Sequence, residues 1–229
     1  EVRDVAKRGG EIVHVVESPW REEEAASILA ASPRVRLEVH TEERLAVARN
    51  HTATHLLHAA LRGIVGAHVA QAGSLVERGR LRFDFNHYEP VAPAALREIE
   101  RRVNGWIRDA AAVETDWMGY QEATERGVIA LFGEKYGERV RVVRVEGVSA
   151  ELCGGTHVGN TGQIGLFLIT AESGVAAGVR RVEALTGEAA LGRVHALMED
   201  ENELARLLRA SRGETVERAR EVVGEIDEL

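Results

Sequence analysis

The pattern of apolar and polar positions divides the chain into three stretches. The first opens with VRDVAKRGGEIVHVV from Val2 to Val16, two short β-prone runs about Gly9 and Gly10, and this predicts a hairpin closed by a glycine turn. Val35 to His40 alternates like a further strand, while Ser18 to Pro33, punctuated by prolines, reads as helix or loop. Three strands are too few to close a sheet, so residues 1–40 are expected to be a truncated β domain.

The middle stretch mixes both kinds of element. Helical periodicity runs from about Glu42 to Gly66, from about Pro93 to Asp109 and from about Tyr120 to Phe132. In the second of these, Pro93 stands near the first helical position, and Leu96, Ile99, Val103, Trp106 and Ile107 form the inward stripe. Strand patterns occur at Arg80 to Phe85, Arg139 to Val145, Ile164 to Thr170 and Val179 to Leu185. The elements are grouped rather than strictly alternating, which predicts an α+β fold. In the last stretch Leu197, Leu204, Leu207, Leu208, Val216, Ala219, Val223 and Ile226 recur mostly every three or four residues, the period of an amphipathic helix. Gly213 and Gly224 argue against one uninterrupted helix, and the single stripe needs a partner: its own domain, or a coiled coil or helical hairpin. The expected organisation is residues 1–40, 41–188 and 189–229.

Composition narrows the class. With 45% hydrophobic and 29% charged residues in 229, the chain can bury one fair-sized core or two small ones, which excludes disorder over most of its length. The net charge of −8 sits mostly in the tail, where residues 196–229 hold ten acidic and five basic side chains. The longest apolar runs, such as GLFLITA from Gly165 to Ala171, fall short of the roughly 20 residues a spanning helix needs, so no membrane partner is expected. Cys153 is the single cysteine, which forbids an internal disulfide, and no signal-peptide pattern opens the chain. A reducing, cytoplasmic setting follows, and a start at Glu1 without Met is the expectation for a piece of a longer protein.

Two histidine-bearing motifs carry the chemistry. His51 and His55, four residues apart on a predicted helix, present both imidazoles on one face, where two nitrogens can bind one cation. Nine histidines in 229 residues give about 0.3 such pairs by chance, so this motif alone decides little. His58 lies in the same stripe and is a rival ligand that spacing does not exclude. Cys153-Gly154-Gly155-Thr156-His157 is more informative, because the lone cysteine has a histidine four residues on, across a diglycine that permits a tight turn. Together the two motifs offer three nitrogens and one sulfur, a donor set suited to zinc. The competing reading is an inert buried thiol among satisfied core histidines. Thr52 stands where an H-E-x-x-H protease carries its glutamate, and the second cysteine of a nucleobase deaminase is absent, so both mechanisms are excluded. Four protein ligands would read as structural, and three plus water as catalytic.

Seven segments share a wider resemblance. NHTATHLLHAALR (Asn50 to Arg62), QAGSLV (Gln71 to Val76), RLRFDF (Arg80 to Phe85), LFGEKYGERVRVV (Leu131 to Val143), ELCGGTHV (Glu151 to Val158), TGQIGLFLI (Thr161 to Ile169) and GVRRVEALTG (Gly178 to Gly187) occur in this order in alanyl-tRNA synthetases. The chain resembles the editing domain of that family over about residues 1 to 200 and, less closely, the free-standing alanyl-tRNA editing proteins. The resemblance implies the α+β editing fold of the alanyl/threonyl type, preceded by part of a β-barrel and followed by a helical oligomerisation segment. It also implies hydrolysis of Ser-tRNA(Ala) and Gly-tRNA(Ala), with Ala-tRNA(Ala) spared and no aminoacylation, since the ATP-binding synthetic part is absent.

On the family's pattern His51, His55, Cys153 and His157 match the Zn2+ positions. Gln71 matches a position lining the editing pocket, with Ser74 nearby in the same motif. Gly154 and Gly155 are expected to offer backbone N–H groups to the developing oxyanion, and Gln71 to orient the water or the amino acid. An acidic protein that handles tRNA needs local basic surface, for which Arg180 and Arg181, the cluster Lys135, Arg139, Arg141 and Arg144, and the helical Arg101 and Arg102 are candidates. The alternatives are a non-catalytic, zinc-stabilised tRNA-docking or oligomerisation module, and a free-standing editing protein.

Overall fold

The glycine turn expected near the start forms as read. Strands β1 (Val2–Arg8) and β2 (Glu11–Val16) pair antiparallel through Gly9 and Gly10, both at positive φ, the conformation of a tight hairpin turn. A helix α1 (Glu22–Ala31) follows, with three glutamates in its first turn favouring the positive end of the helix dipole. The computed structural model describes residues 2–17, 20–31, 34, 36–130 and 136–227. Residues 36–40 carry no strand, contrary to the alternation read there: the two-stranded sheet consists of β1 and β2 alone, and an alternating segment without a pairing neighbour does not become a strand. The chain divides into two compact units, Glu1–Val39 and His40–Leu229.

The larger unit is built on helix α2 (Thr41–Ile64), in which every residue from Thr52 to His58 is buried. One side of α2 is covered by an antiparallel sheet of order β3-β4-β9-β8, made of β3 (Gln71–Val76), β4 (Leu81–Asn86), β8 (Phe167–Ala176) and β9 (Val179–Thr186). Leu56, Leu57, Ala60 and Leu61 share a core with Phe83, Phe85, Phe167, Val182 and Ala184, all fully buried. Each of the larger side chains contributes about 1.5–3 kcal/mol on burial, which anchors the helix against the sheet. Helix α3 (Pro93–Arg108) adds Ile99, Val103 and Ile107 to the same core, with Leu96 and Trp106 partly buried beside them, as its stripe predicted.

The polar side of α2 meets a second antiparallel sheet, of order β5-β6-β7, formed by β5 (Val113–Gly119), β6 (Arg139–Val145) and β7 (Ser149–Leu152). Val140, Val142 and Leu152 form a small separate core with Ala123 of helix α4 (Tyr120–Glu125). The third predicted helix therefore stops early: Gly127, at positive φ, turns the chain away, and its expected end at Phe132 lies outside the described residues. Lys135 lies outside them too. The strand expected to begin at Ile164 begins at Phe167 instead, because Thr161–Ile164 forms a 3₁₀ turn closed at Gly165, φ 75°.

The tail forms two helices, α5 (Gly187–Leu208) and α6 (Thr215–Asp227). The break falls where Arg209 is left-handed and Gly213 has φ 87°, so Gly213 does interrupt the periodicity while Gly224 is absorbed inside α6. No described helix is long and apolar enough to cross a membrane. The observed class is α+β.

Candidate metal centre

His51 and His55 lie one turn apart on the polar side of α2. The facing donors come from the turn that leaves β7. There the β6-β7 ladder runs one residue past the strand, with Cys153 N–H donating to Arg141 O at 3.0 Å, and the chain then bends through Gly154 and Gly155. Arg141 fixes the bend, since its Nη1 donates to the carbonyls of both Cys153 and Gly155 at 2.7 Å. Charge-assisted bonds of this kind are the stronger ones, so the turn is stiff. Its approach to α2 is close: a Cβ on Gly155 would stand 1.9 Å from His51 Cε1.

This packing brings one donor atom from each of His51, His55, Cys153 and His157 within 4.8 Å of every other. Cys153 Sγ lies 3.4 Å from His51 Nε2 and 3.3 Å from His157 Nε2. A tetrahedral ion with bonds of about 2.0–2.1 Å to nitrogen and about 2.3 Å to sulfur separates neighbouring donors by about 3.3–3.6 Å, so these two edges already match. The protonation states also fit. Burial first, then the neighbouring His55 and Arg141, lowers His51 to about 4. Burial, His55, His51 and Arg141 lower His157 to about 2. His55 is lowered chiefly by burial, with Glu151 acting in the opposite sense. Neutral imidazoles are the form that binds metal. Gly155 N–H points at Cys153 Sγ, 3.4 Å away. The four side chains can hold a metal ion.

The surrounding side chains set the orientation of these donors. His157 Nδ1 is 3.1 Å from Thr52 Oγ1, which also accepts from Val158 N–H, so the ring presents Nε2 to the centre. Glu151, 5% exposed, places one carboxylate oxygen 3.2 Å from His58 Nδ1 and the other 3.7 Å from His55 Nδ1. Burial alone would raise the Glu151 carboxyl, but His55, His58 and the hydroxyl of Ser149 outweigh it and hold the group below the usual carboxylate range. His58, the rival ligand, is thereby engaged by Glu151 and stands outside the four-residue group. The Glu151 oxygen beside His55 Nδ1 is beyond hydrogen-bond reach, so Glu151 acts on that ring through charge, and Glu151→Gln is expected to weaken metal binding by these four side chains by up to about tenfold, the low end of the effect of a carboxylate bonded behind a histidine ligand. Competition with a chromophoric chelator measures this, and an unchanged affinity would remove Glu151 from the site.

Comparison with known proteins follows the same residues. Residues 140–183, which include Arg141, Glu151, Cys153 and His157, match the family described as the threonyl and alanyl tRNA synthetase second additional domain. The chain is 56% identical to the alanine–tRNA ligase of Nitratidesulfovibrio vulgaris over 184 residues, which are 80% of this chain and 21% of the relative. It is 46% identical to that of Saccharophagus degradans over 230 aligned residues, 100% of this chain and 26% of the relative. With the enzyme of Thermotoga petrophila it shares 50% identity over 205 residues, 88% of this chain and 24% of the relative. The chain belongs to the alanyl-tRNA synthetase family. It spans about a quarter of the length of the curated relatives it matches.

The other residues singled out in this synthetase segment have defined surroundings. Gln71 Nε2 donates to Ser74 Oγ at 3.2 Å. Residues three apart on a strand ordinarily face opposite ways; here a bulge between Gln71 and Gly73 brings them to one face. Their partners in register, Phe85 and Phe83, belong to the buried face of the sheet, and Phe83 lies 5.2 Å from the His58 ring. Gln71 and Ser74 are therefore on the α2 side of edge strand β3. Gly154 is exposed, and a Cβ there would meet nothing within 4 Å, whereas the Gly155 amide is directed to sulfur.

The arginines are largely engaged by protein. Arg180 forks onto Glu172 at 2.6 and 2.7 Å, and Arg181 onto Asp84 at 2.7 and 2.8 Å. Arg144 pairs with Glu114 and Asp116, Arg101 with Glu98, and Arg102 reaches Glu98 at 3.5 Å. Arg141 holds the turn that carries Cys153 and His157. Sequence reasoning missed Glu151 and Thr52 as supports. A signal existed for Glu151: Ser149, Glu151 and Cys153 alternate, so one strand face carries all three.

Proposed function

We propose that this segment is an editing hydrolase that cleaves the aminoacyl ester of Ser-tRNA(Ala) and Gly-tRNA(Ala) at a zinc centre held by His51, His55, Cys153 and His157. The observation that carries the reading is the convergence of these four donors, from a helix and a distant turn, in a chain of this family. The chemical need is physical. A site that selects alanine by apolar contact rejects an added hydroxyl by only about a hundredfold and cannot exclude a smaller side chain, so a second site must remove the errors.

Zinc, when bound, supplies a positive charge and Lewis acidity beside the ester. The chain's own groups do the rest. Arg141 keeps the turn rigid, and the Gly154 amide is the backbone donor available to the oxyanion, because the Gly155 amide serves the sulfur. Gln71, held by Ser74, offers its amide to the amino acid or to the attacking water, and a hydrogen bond of this kind is what distinguishes serine from alanine. The partner is tRNA(Ala). In the test, the protein is incubated with Ser-tRNA(Ala) and with Ala-tRNA(Ala), with zinc and after chelation. Loss of serine only, dependent on zinc, is the expected result. Equal cleavage of both, or no cleavage of either by zinc-loaded protein, would refute the reading.

A further inference from the structure

The second sheet continues outward from the metal centre along one face. On this face β5 carries Val113, Thr115 and Trp117, and β6 carries Val145, Val143, Arg141 and Arg139. The inner end is core: Val143 and Val145 are buried, and Val113 packs on the main cluster. The middle belongs to the metal-bearing turn, where Arg141 holds the Cys153 and Gly155 carbonyls and reaches Thr115 Oγ1 at 3.4 Å. Trp117 is the cross-strand partner of Arg141, so the two side chains rise from adjacent positions on the same face. Trp117 is 60% exposed. One step further out stands Arg139, exposed and without an ion-pair partner among the described residues. The strand carboxylates Glu114 and Asp116 lie on the opposite face with Arg144.

An exposed indole on an edge strand costs solvation and gains nothing from packing, while an aromatic face flanked by a guanidinium is the recurrent platform for an unpaired nucleotide. We propose that Trp117 and Arg139 form a ledge for the single-stranded 3′ end of the RNA substrate, the indole stacking on a base and the guanidinium facing a phosphate. The ledge deepens the editing reading and rests on it. It lies next to the turn that bears Cys153 and His157, so a chain resting there is led toward the metal centre. Stacking tolerates any base, and specificity is left to other contacts.

The test uses the full chain with zinc, a fluorescently labelled single-stranded RNA of the tRNA 3′-terminal sequence, and Ser-tRNA(Ala). Trp117→Ala is expected to weaken RNA binding about tenfold or more, the loss typical of one stacked base. KM for Ser-tRNA(Ala) should rise in parallel with kcat nearly unchanged, and Trp117→Phe should retain most of the affinity. Arg139→Ala should lower the salt dependence by about 0.7 in the log–log slope, the value for one phosphate on a single strand. An RNA carrying an abasic site at the stacked position should make Trp117→Ala silent. If the unaltered protein binds and cleaves but Trp117→Ala matches it in affinity and KM, the ledge is overturned and the editing function stands. If the unaltered protein does neither, both fall together.

Discussion

Cys153→Ala is expected to abolish zinc binding at micromolar protein and to reduce deacylation of Ser-tRNA(Ala) below a hundredth of the unaltered rate. The sulfur lies 3.3–3.4 Å from two of the three imidazoles, so it is the donor that ties the helix ligand His51 to the turn ligand His157. Loss of groups that merely orient a ligand costs about ten- to a hundredfold in metal affinity, and loss of the thiolate itself costs more. Cys153→Ser should not rescue, because a neutral hydroxyl is a poor substitute for a soft thiolate at a zinc site. Metal content by atomic absorption and single-turnover deacylation check the two halves. Far-ultraviolet circular dichroism controls for folding, since the site holds α2 and β7 together but most of the main core is formed by α2, α3 and the four-stranded sheet. Wild-type activity in zinc-free Cys153→Ala would show that the ester is cleaved elsewhere.

The second large effect distinguishes two neighbouring glycines. Gly155→Ala would place a methyl 1.9 Å from Cε1 and 2.3 Å from Nδ1 of His51. The turn has little freedom to retreat, being held by Arg141 through two carbonyls and by the Cys153 amide on β6. The imidazole must yield, and a displaced His51 leaves the donor set. We expect destabilisation of about 1–3 kcal/mol, the usual cost of overpacking, with zinc affinity lowered at least tenfold. Gly154→Ala meets nothing within 4 Å and requires no positive φ, so its stability should stay within about 0.5 kcal/mol. Urea unfolding of the two variants, together with chelator competition, gives the comparison. Equal behaviour would mean that the turn is looser than its hydrogen bonds imply.

The elements that sequence reasoning located are those whose periodicity is imposed by burial. Helix α3 was legible because Ile99, Val103 and Ile107 must all face one core, and β4, β6 and β9 because their apolar residues have one buried neighbour after another. Strands β3, β5 and β7 escaped notice. β3 and β5 are edge strands with exposed or bulged positions, as Gln71 and Gly73 show, and Ser149–Leu152 is too short to display a period. Their existence is decided by whether a neighbouring strand is there to pair with, as the missing strand at residues 36–40 shows from the other direction.

By itself, the sequence determined which atoms are available for chemistry: two imidazoles one helical turn apart, and a thiol and an imidazole joined through two glycines, within an α+β chain of this family. Spacing of three or four residues is local geometry, so it survives without a fold. Only the tertiary structure decided that the two pairs meet, that His58 is taken by Glu151 rather than by the metal centre, that Arg141 supports the turn, and that Arg180 and Arg181 are engaged by carboxylates. Each of those outcomes depends on contacts between residues at least eight and up to about a hundred positions apart: the packing of α2 against the second sheet brings together the four donors and the His58–Glu151 pair, while strand pairing within the sheets brings Arg141, Arg180 and Arg181 to their partners.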